Sequence, residues 1–290
     1  MYIISPFTPI FFRPTTDKFG AGSKYTQTWS PTDHILVEAI SFSDDYGMAG
    51  IDGNVPTLYV NNLETGERVT QNWHTWVMNT GVTVYWSIIS GLLPGIYSVT
   101  LGDVESEPFC VSVEPVILEQ TTLIQYSMAD NRRRLDGVFL LNGLRNFFDF
   151  RVPGGFKDDN WVFGVDNEQF TTHLYDVLDL YSHEQVVKTF TMGGSIGCPV
   201  WFGELLNRIL TCSFVYFDGV RYSRHESDVP EVTQEVEDLR SYIITQNVQK
   251  VVNLDPNVEK INALRLRRVG LRSDNDDFRE TTINRKLLNL

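Results

Sequence analysis

The chain is 290 residues long, 42% hydrophobic, 21% charged and 12% aromatic, with a formal net charge of -13. That length suits one large or two medium domains, able to bury roughly three quarters of the unfolded surface. No apolar run approaches the roughly twenty residues of a membrane span, and general nucleic-acid binding needs a concentrated basic face that an acidic chain does not offer, so neither a membrane nor a nucleic acid is expected as a partner.

Residues Met1 to Pro14 are apolar, but no basic stretch precedes them and Pro6, Pro9 and Pro14 interrupt them. They read as part of an extended arm over residues 1–28, an edge strand at most, and not as an export signal.

A first β-sandwich module is expected over residues 29–115. His34-Ile35-Leu36-Val37-Glu38-Ala39-Ile40 is a first strand. Thr57–Val60 and Glu67–Thr70 make a hairpin closed by Leu63-Glu64-Thr65-Gly66. Val84, Trp86 and Ile88 share one face of the next strand, with Tyr85 and Ser87 on the other. Pro94-Gly95 forces a turn ahead of a strand through Tyr97, and Phe109–Val113 ends the module. Cys110, between Phe109 and Val111, reads as a small core residue. The spacing of strands and turns predicts an antiparallel sandwich.

Pro115 punctuates the junction, and a second β-rich module follows over residues 116–226. Its strands lie near Leu123–Tyr126, Val138–Leu141, Phe147–Val152 and Val186–Met192. Pro199 opens a short helix whose apolar stripe is Trp201, Phe202, Leu205, Leu206, Ile209 and Leu210. Asp218-Gly219 closes a two-residue hairpin between Ser213–Phe217 and Val220–Tyr222. The fold class is therefore mainly β: two antiparallel β-sandwich-like modules, one short helix in the second, and extended N- and C-terminal arms.

Residues 227–290 read as an acidic linker and C-terminal arm. Ser241–Thr245 has the composition of one more strand. Leu264-Arg265-Leu266-Arg267-Arg268-Val269 alternates as an edge strand does, while Val258, Ile261 and Leu264 fit helical spacing; both readings stay open. Residues 251–290 carry eight Lys or Arg against six Asp or Glu, which leaves the first 250 residues at -15. Such a tail, too poor in apolar residues for its own core, suits docking on an acidic neighbour. Arg265, Arg267 and Arg268 are candidate interaction residues on that ground, as are Arg132, Arg133 and Arg134, the densest positive run of the body.

No catalytic constellation assembles. Gly193-Gly194-Ser195-Ile196-Gly197 matches G-x-S-x-G between a strand and a helix, the setting of a nucleophile elbow. However, only His225 follows, and no alternation of parallel strands and helices surrounds it. The glycines are read as supplying positive φ angles to the turn. Asp44, Asp45, Asp52 and Asn54 on a glycine-rich loop have the oxygen ligands of a calcium site, at spacings that fit no EF-hand. Three scattered cysteines, Cys110, Cys198 and Cys212, suggest neither zinc nor a disulfide framework. Trp73, His74, Trp76 and Trp161 would provide a stacking platform if the chain were a carbohydrate-binding surface protein, the alternative function. No cofactor, metal or enzymatic activity is expected.

Two groups of motifs carry family resemblances. Pro94-Gly95-Ile96-Tyr97-Ser98-Val99 is similar to the tyrosine-corner region of fibronectin-type and immunoglobulin-like domains. Gly91–Tyr97 with Ser106–Val111, taken with Phe150–Phe156, Gly197–Trp201 and Asp218–Arg224, resembles virion proteins of tailed phages of gut Bacteroidetes, including crAss-like phages. The resemblance implies a tail, neck or baseplate component, a virion protein assembled in the host cytoplasm. Its implied partners are copies of itself and other virion proteins in a ring, and it carries no catalytic or binding residue across.

Overall fold

A computed structural model of the protein describes residues 2–14, 25–42, 55–79, 81–129, 139–141, 144–225, 231–236 and 241–251. The first half supplies β1 (Tyr2–Ile4), β2 (Phe12–Pro14), β3 (Gln27–Trp29), β4 (Ile35–Phe42), β5 (Leu58–Asn62), β6 (Arg68–Gln71), β7 (His74–Asn79), β8 (Val82–Ile89), β9 (Gly95–Leu101), β10 (Val104–Ser106) and β11 (Phe109–Val111). One helical turn, α1 (Pro115–Leu118), links them to β12 (Thr121–Ser127), β13 (Leu140–Leu141), β14 (Leu144–Arg145), β15 (Phe148–Thr171) and β16 (Val177–Met192). Then come α2 (Val200–Ile209), β17 (Phe214–Phe217), β18 (Val220–Arg224), β19 (Glu231–Val236) and β20 (Ser241–Lys250).

The protein is mainly β, as its alternating patterns predict. One sheet of the first module runs β1-β4-β8-β7, and the other is built around β9, with β5, β10 and β11 as its neighbours. Because strand side chains alternate, β4 serves two cores. Ile35 and Val37 join Trp29, Val60, Val99 and Phe109 inside the sandwich, while Leu36 joins the core of the second module. On β8 the even residues behave as the pattern predicts: Val84 and Trp86 meet a small third cluster, and Trp86 and Ile88 pack against the second module's core. Tyr97 makes the expected corner, its hydroxyl donating to the Leu93 carbonyl at 2.9 Å. Cys110 departs from expectation. Phe109 and Val111 take the buried face of β11, so strand alternation leaves the thiol half-buried on the other.

In the second module β15, β12, β17, β18, β20 and β16 pair in that order, and β16 also pairs with β20. The sheet thus closes on itself as a six-stranded antiparallel barrel, with β19 added outside β20. Barrel closure leaves no open edge around the ring. Helix α2 turns Phe202, Leu205, Leu206 and Ile209 into a core with Phe148, Phe150, Phe190, Phe217 and Ile244. Gly203 lets the helix sit close to β20: a Cβ would lie 2.8 Å from the Ile244 Cδ1, whose side chain would have to turn aside. Asp218 and Gly219 both take positive φ, the type I′ geometry that matches the twist of the flanking strands.

Two expected boundaries change. The N-terminal segment is no free arm: β1 pairs with β4, β2 with β10 and β3 with β11. Phe7 is fully buried against Tyr126 and Phe139 of the second module, and the Tyr126 hydroxyl donates to the Phe7 carbonyl at 2.8 Å. Phe7 and Ile10 are buried within the chain, while Ile3 stays exposed on the outer face of β1. Residues 231–236 and 241–250 are likewise part of the barrel sheet and not of a linker, with Ile244 and Val248 fully buried. Only from residue 252 onward does the C-terminal arm lie outside the described residues, and with it Arg265, Arg267 and Arg268.

Candidate interaction site

The second module grows one element far beyond its barrel. β15 is held by β12 only as far as Pro153, and β16 by β20 only from Val187 to Met192. Beyond these points the two strands continue as a ribbon that, among the described residues, pairs only with itself, from Phe163 opposite Val186 to Thr171 opposite Val177. A two-stranded ribbon is marginally stable alone in water. The sequence compensates at the tip. The Thr172 hydroxyl accepts hydrogen bonds from the Leu174 and Asp176 backbone N–H groups, and the Tyr175 N–H donates to the Thr172 carbonyl.

The ribbon is apolar where soluble hairpins are polar. Leu174 and Tyr175 at the tip are 77% and 90% exposed, and Tyr175 takes a left-handed backbone with φ +63°. Phe170 lies opposite Leu178, and Glu168 opposite Tyr181 with Leu180 as the extra residue of a bulge. The bulge shifts the alternation by one residue, so Phe170, Leu178, Leu180 and Tyr181 gather on one face; all four are exposed. Nearer the barrel, Phe163 and Val165 are exposed as well. Between Phe163 and Val187 stand five carboxylates, Asp166, Glu168, Asp176, Asp179 and Glu184, and no Lys or Arg. An exposed apolar surface of this kind makes the ribbon the candidate interaction site of the described residues.

At the junction of the two modules lies a second polar arrangement, and it is buried. Arg151 Nε and Nη2 donate to Asp33 Oδ2 and Oδ1 at 2.6 and 2.9 Å, while Nη1 donates to Thr121 Oγ1 at 3.0 Å. Asp149 accepts from the His34 backbone N–H at 2.8 Å and from Gln125 Nε2 at 2.9 Å. Burial pushes the Asp149 carboxyl up to about 7, against the pull of those two donors. Burial also lowers the His34 pKa, with Asp33 opposing the shift; its ring is 3.9 Å from Asp149, too far to hydrogen-bond. Asp33 and Asp149 are 3% and 2% exposed, so these groups fasten the modules and face no substrate.

No protein-family model matches the chain, and no curated protein matches it.

The residues singled out in the sequence fall as follows. Gly193, Gly194 and Gly197 all have positive φ; a Cβ on Gly193 would lie 2.7 Å from the Tyr242 carbonyl and one on Gly197 2.8 Å from the Ser241 Cβ, so close packing against β20 accounts for these two and the backbone turn alone for Gly194. Among the described residues Ser195 hydrogen-bonds to no histidine. Trp73 is half-buried, its Nε1 donating to the Pro56 carbonyl at 2.9 Å. Trp76 packs toward Ile40 and Val84, and His74 stacks on Trp86 with centroids 4.5 Å apart. These rings are engaged with their own sheets, while Trp161 sits on β15 opposite Lys188. Burial drives the Cys198 thiol up to about 12. The loop of Asp44, Asp45, Asp52 and Asn54 lies outside the described residues, as do Arg132, Arg133 and Arg134. Among the described residues no helix is long and apolar enough to cross a membrane.

The ribbon escaped the sequence reading. Its usable signal was the mixture of large apolar side chains with carboxylates over residues 163–184, without the clean alternation of a half-buried strand.

Proposed function

We propose that this protein is a non-enzymatic structural subunit of a phage virion, part of a symmetric tail, neck or baseplate ring, and that it works by gripping neighbouring subunits. One observation carries the reading: a two-stranded ribbon that gathers exposed Phe, Leu and Tyr side chains stands beyond a closed barrel, which itself exposes only scattered single apolar residues such as Ile196, Val200 and Val220 among the described ones. Burial of a large apolar side chain is worth about 2 kcal/mol. A ribbon that offers several of them gains far more from a neighbour than from water. Contacts through the extended terminal arms would be the expectation from sequence; residues 2–14 and 25–28 are woven into the body, so the gripping role is assigned to the ribbon. The virion setting follows the resemblance of the Gly91–Tyr97, Phe150–Phe156 and Asp218–Arg224 motifs.

The test is to delete residues 164–185 and join Phe163 to Val186 through Asn-Gly, which suits a two-residue hairpin. The intact chain is expected to sediment as an oligomer and to form rings in electron micrographs, and the trimmed chain as a monomer with an unchanged melting temperature. An intact chain that stays monomeric at high concentration overturns the proposal.

A further inference from the structure

The ribbon's charge says what kind of surface receives it. Five carboxylates without a Lys or Arg require a cationic partner, and the aromatic tip requires that partner to be partly apolar. Anionic lipid repels such a ribbon, and its unpaired strand edges cannot enter hydrocarbon. A second ribbon is equally unsuitable, because like charges would meet along its length.

The body carries a surface of the required kind. Two guanidinium groups lie over the Phe214 ring, Arg145 at 4.2 Å and Arg221 at 4.9 Å from its centroid. All three side chains are partly exposed. Arg221 is held by a hydrogen bond from Nη2 to the Ser213 carbonyl at 3.1 Å, and among the described residues it forms no ion pair. Stacking on a ring presets the guanidinium fork for a carboxylate without further ordering cost. The chain's own tip leads away from this place: Arg145 stands three residues before β15 begins, and the tip lies at the far end of that 24-residue strand.

We propose that the acidic, aromatic tip of one copy docks on the Arg145–Phe214–Arg221 stack of the next copy. This rests on the assembly reading above and adds the receiving surface. Glu168 and Asp176 meet the two guanidinium groups through charge-assisted hydrogen bonds, and Leu174 and Tyr175 cover the Phe214 ring. Tip and stack are different surfaces, so the contact is heterologous and repeats from copy to copy into a ring or a filament.

The experiment is sedimentation of three full-length preparations: wild type, a tip-reversed chain (Glu168→Lys with Asp176→Lys) and a stack-reversed chain (Arg145→Glu with Arg221→Glu). Each reversed chain alone is expected to lose at least tenfold in self-association, and an equimolar mixture of the two to recover it, since each then offers the charge the other lacks. Arg221→Gln, with its melting temperature recorded, guards against a stack-reversed chain that fails to fold and is expected to weaken association less than the reversal. A stack-reversed chain that folds and still assembles, while the trimmed chain does not, overturns this contact and leaves the assembly reading intact. A wild-type monomer overturns both. Co-sedimentation of the wild type with phosphatidylcholine–phosphatidylglycerol vesicles overturns the choice of a protein surface.

Discussion

Arg151 of the barrel clasps Asp33 of the sandwich through two parallel N–H···O bonds, across 118 residues of sequence. Side-chain exposures of 11% and 2% put this pair among the buried ones, where removing a single partner leaves an uncompensated charge. Arg151→Ala is therefore expected to cost about 3–5 kcal/mol. Asp33→Ala with Arg151→Ala together should cost less than the sum of the single changes. Urea unfolding of the four chains measures the coupling.

Asp149 gives the stability a pH dependence whose sign follows from burial. Its carboxyl rises from an unfolded value near 3.9 to about 7 in the folded protein. A raised folded pKa means that the folded state holds the proton more tightly. The stabilisation is complete below pH 4 and is lost as pH rises through 7. His34 acts oppositely: its lowered pKa means stability lost as pH falls below about 6.5. The difference in unfolding free energy between wild type and Asp149→Asn should shrink by about 3 kcal/mol from pH 5 to pH 8. A constant difference across that range would show that Asp149 is not the titrating group.

Gly154 and Gly66 both have positive φ, yet their surroundings differ. A Cβ on Gly154 would lie 2.2 Å from the Thr191 carbonyl, whereas one on Gly66 meets nothing within 4 Å. Gly66→Ala should cost roughly 1 kcal/mol, the left-handed penalty alone. Gly154→Ala should cost several times more, because β15 and β16 must part at the base of the ribbon. Thermal unfolding of the two variants gives the comparison.

Tyr97→Phe removes only the hydroxyl that donates to Leu93. The expected loss is about 1 kcal/mol, read from the urea midpoint.

The ribbon and the barrel should separate in hydrogen exchange. In dilute solution, amides of residues 163–185 are expected to exchange far faster than those of β12 and β17, and to gain protection as concentration drives assembly. Equal protection at all concentrations would argue against a ribbon that waits for a neighbour.

Local chemistry made much of this fold legible. Leu63-Glu64-Thr65-Gly66, Pro94-Gly95 and Asp218-Gly219 each act within a few residues, so their turns and flanking strands stand where the sequence placed them. The Trp201–Leu210 stripe located α2 for the same reason. What depended on distant partners was hidden. Phe7 looks like part of a loose arm until Tyr126 and Phe139, more than a hundred residues later, supply its surroundings. Ser241–Thr245 reads as one more strand in an acidic stretch, and its extension to Lys250 emerges only where β16 and β18 border it. The ribbon was hidden for another reason: a strand buried on neither face carries no period of hydrophobicity to detect. Arg145 and Arg221 were passed over because they are adjacent only through the Phe214 ring.

Closure of the barrel by β20 also sets an order in time. Residues 241–250 leave the ribosome after every other described strand, so the nascent chain holds an unsealed sheet until β20 has emerged. Pairings between segments so far apart form slowly. The root of the ribbon at Val187–Met192 gains its second neighbouring strand only at that step.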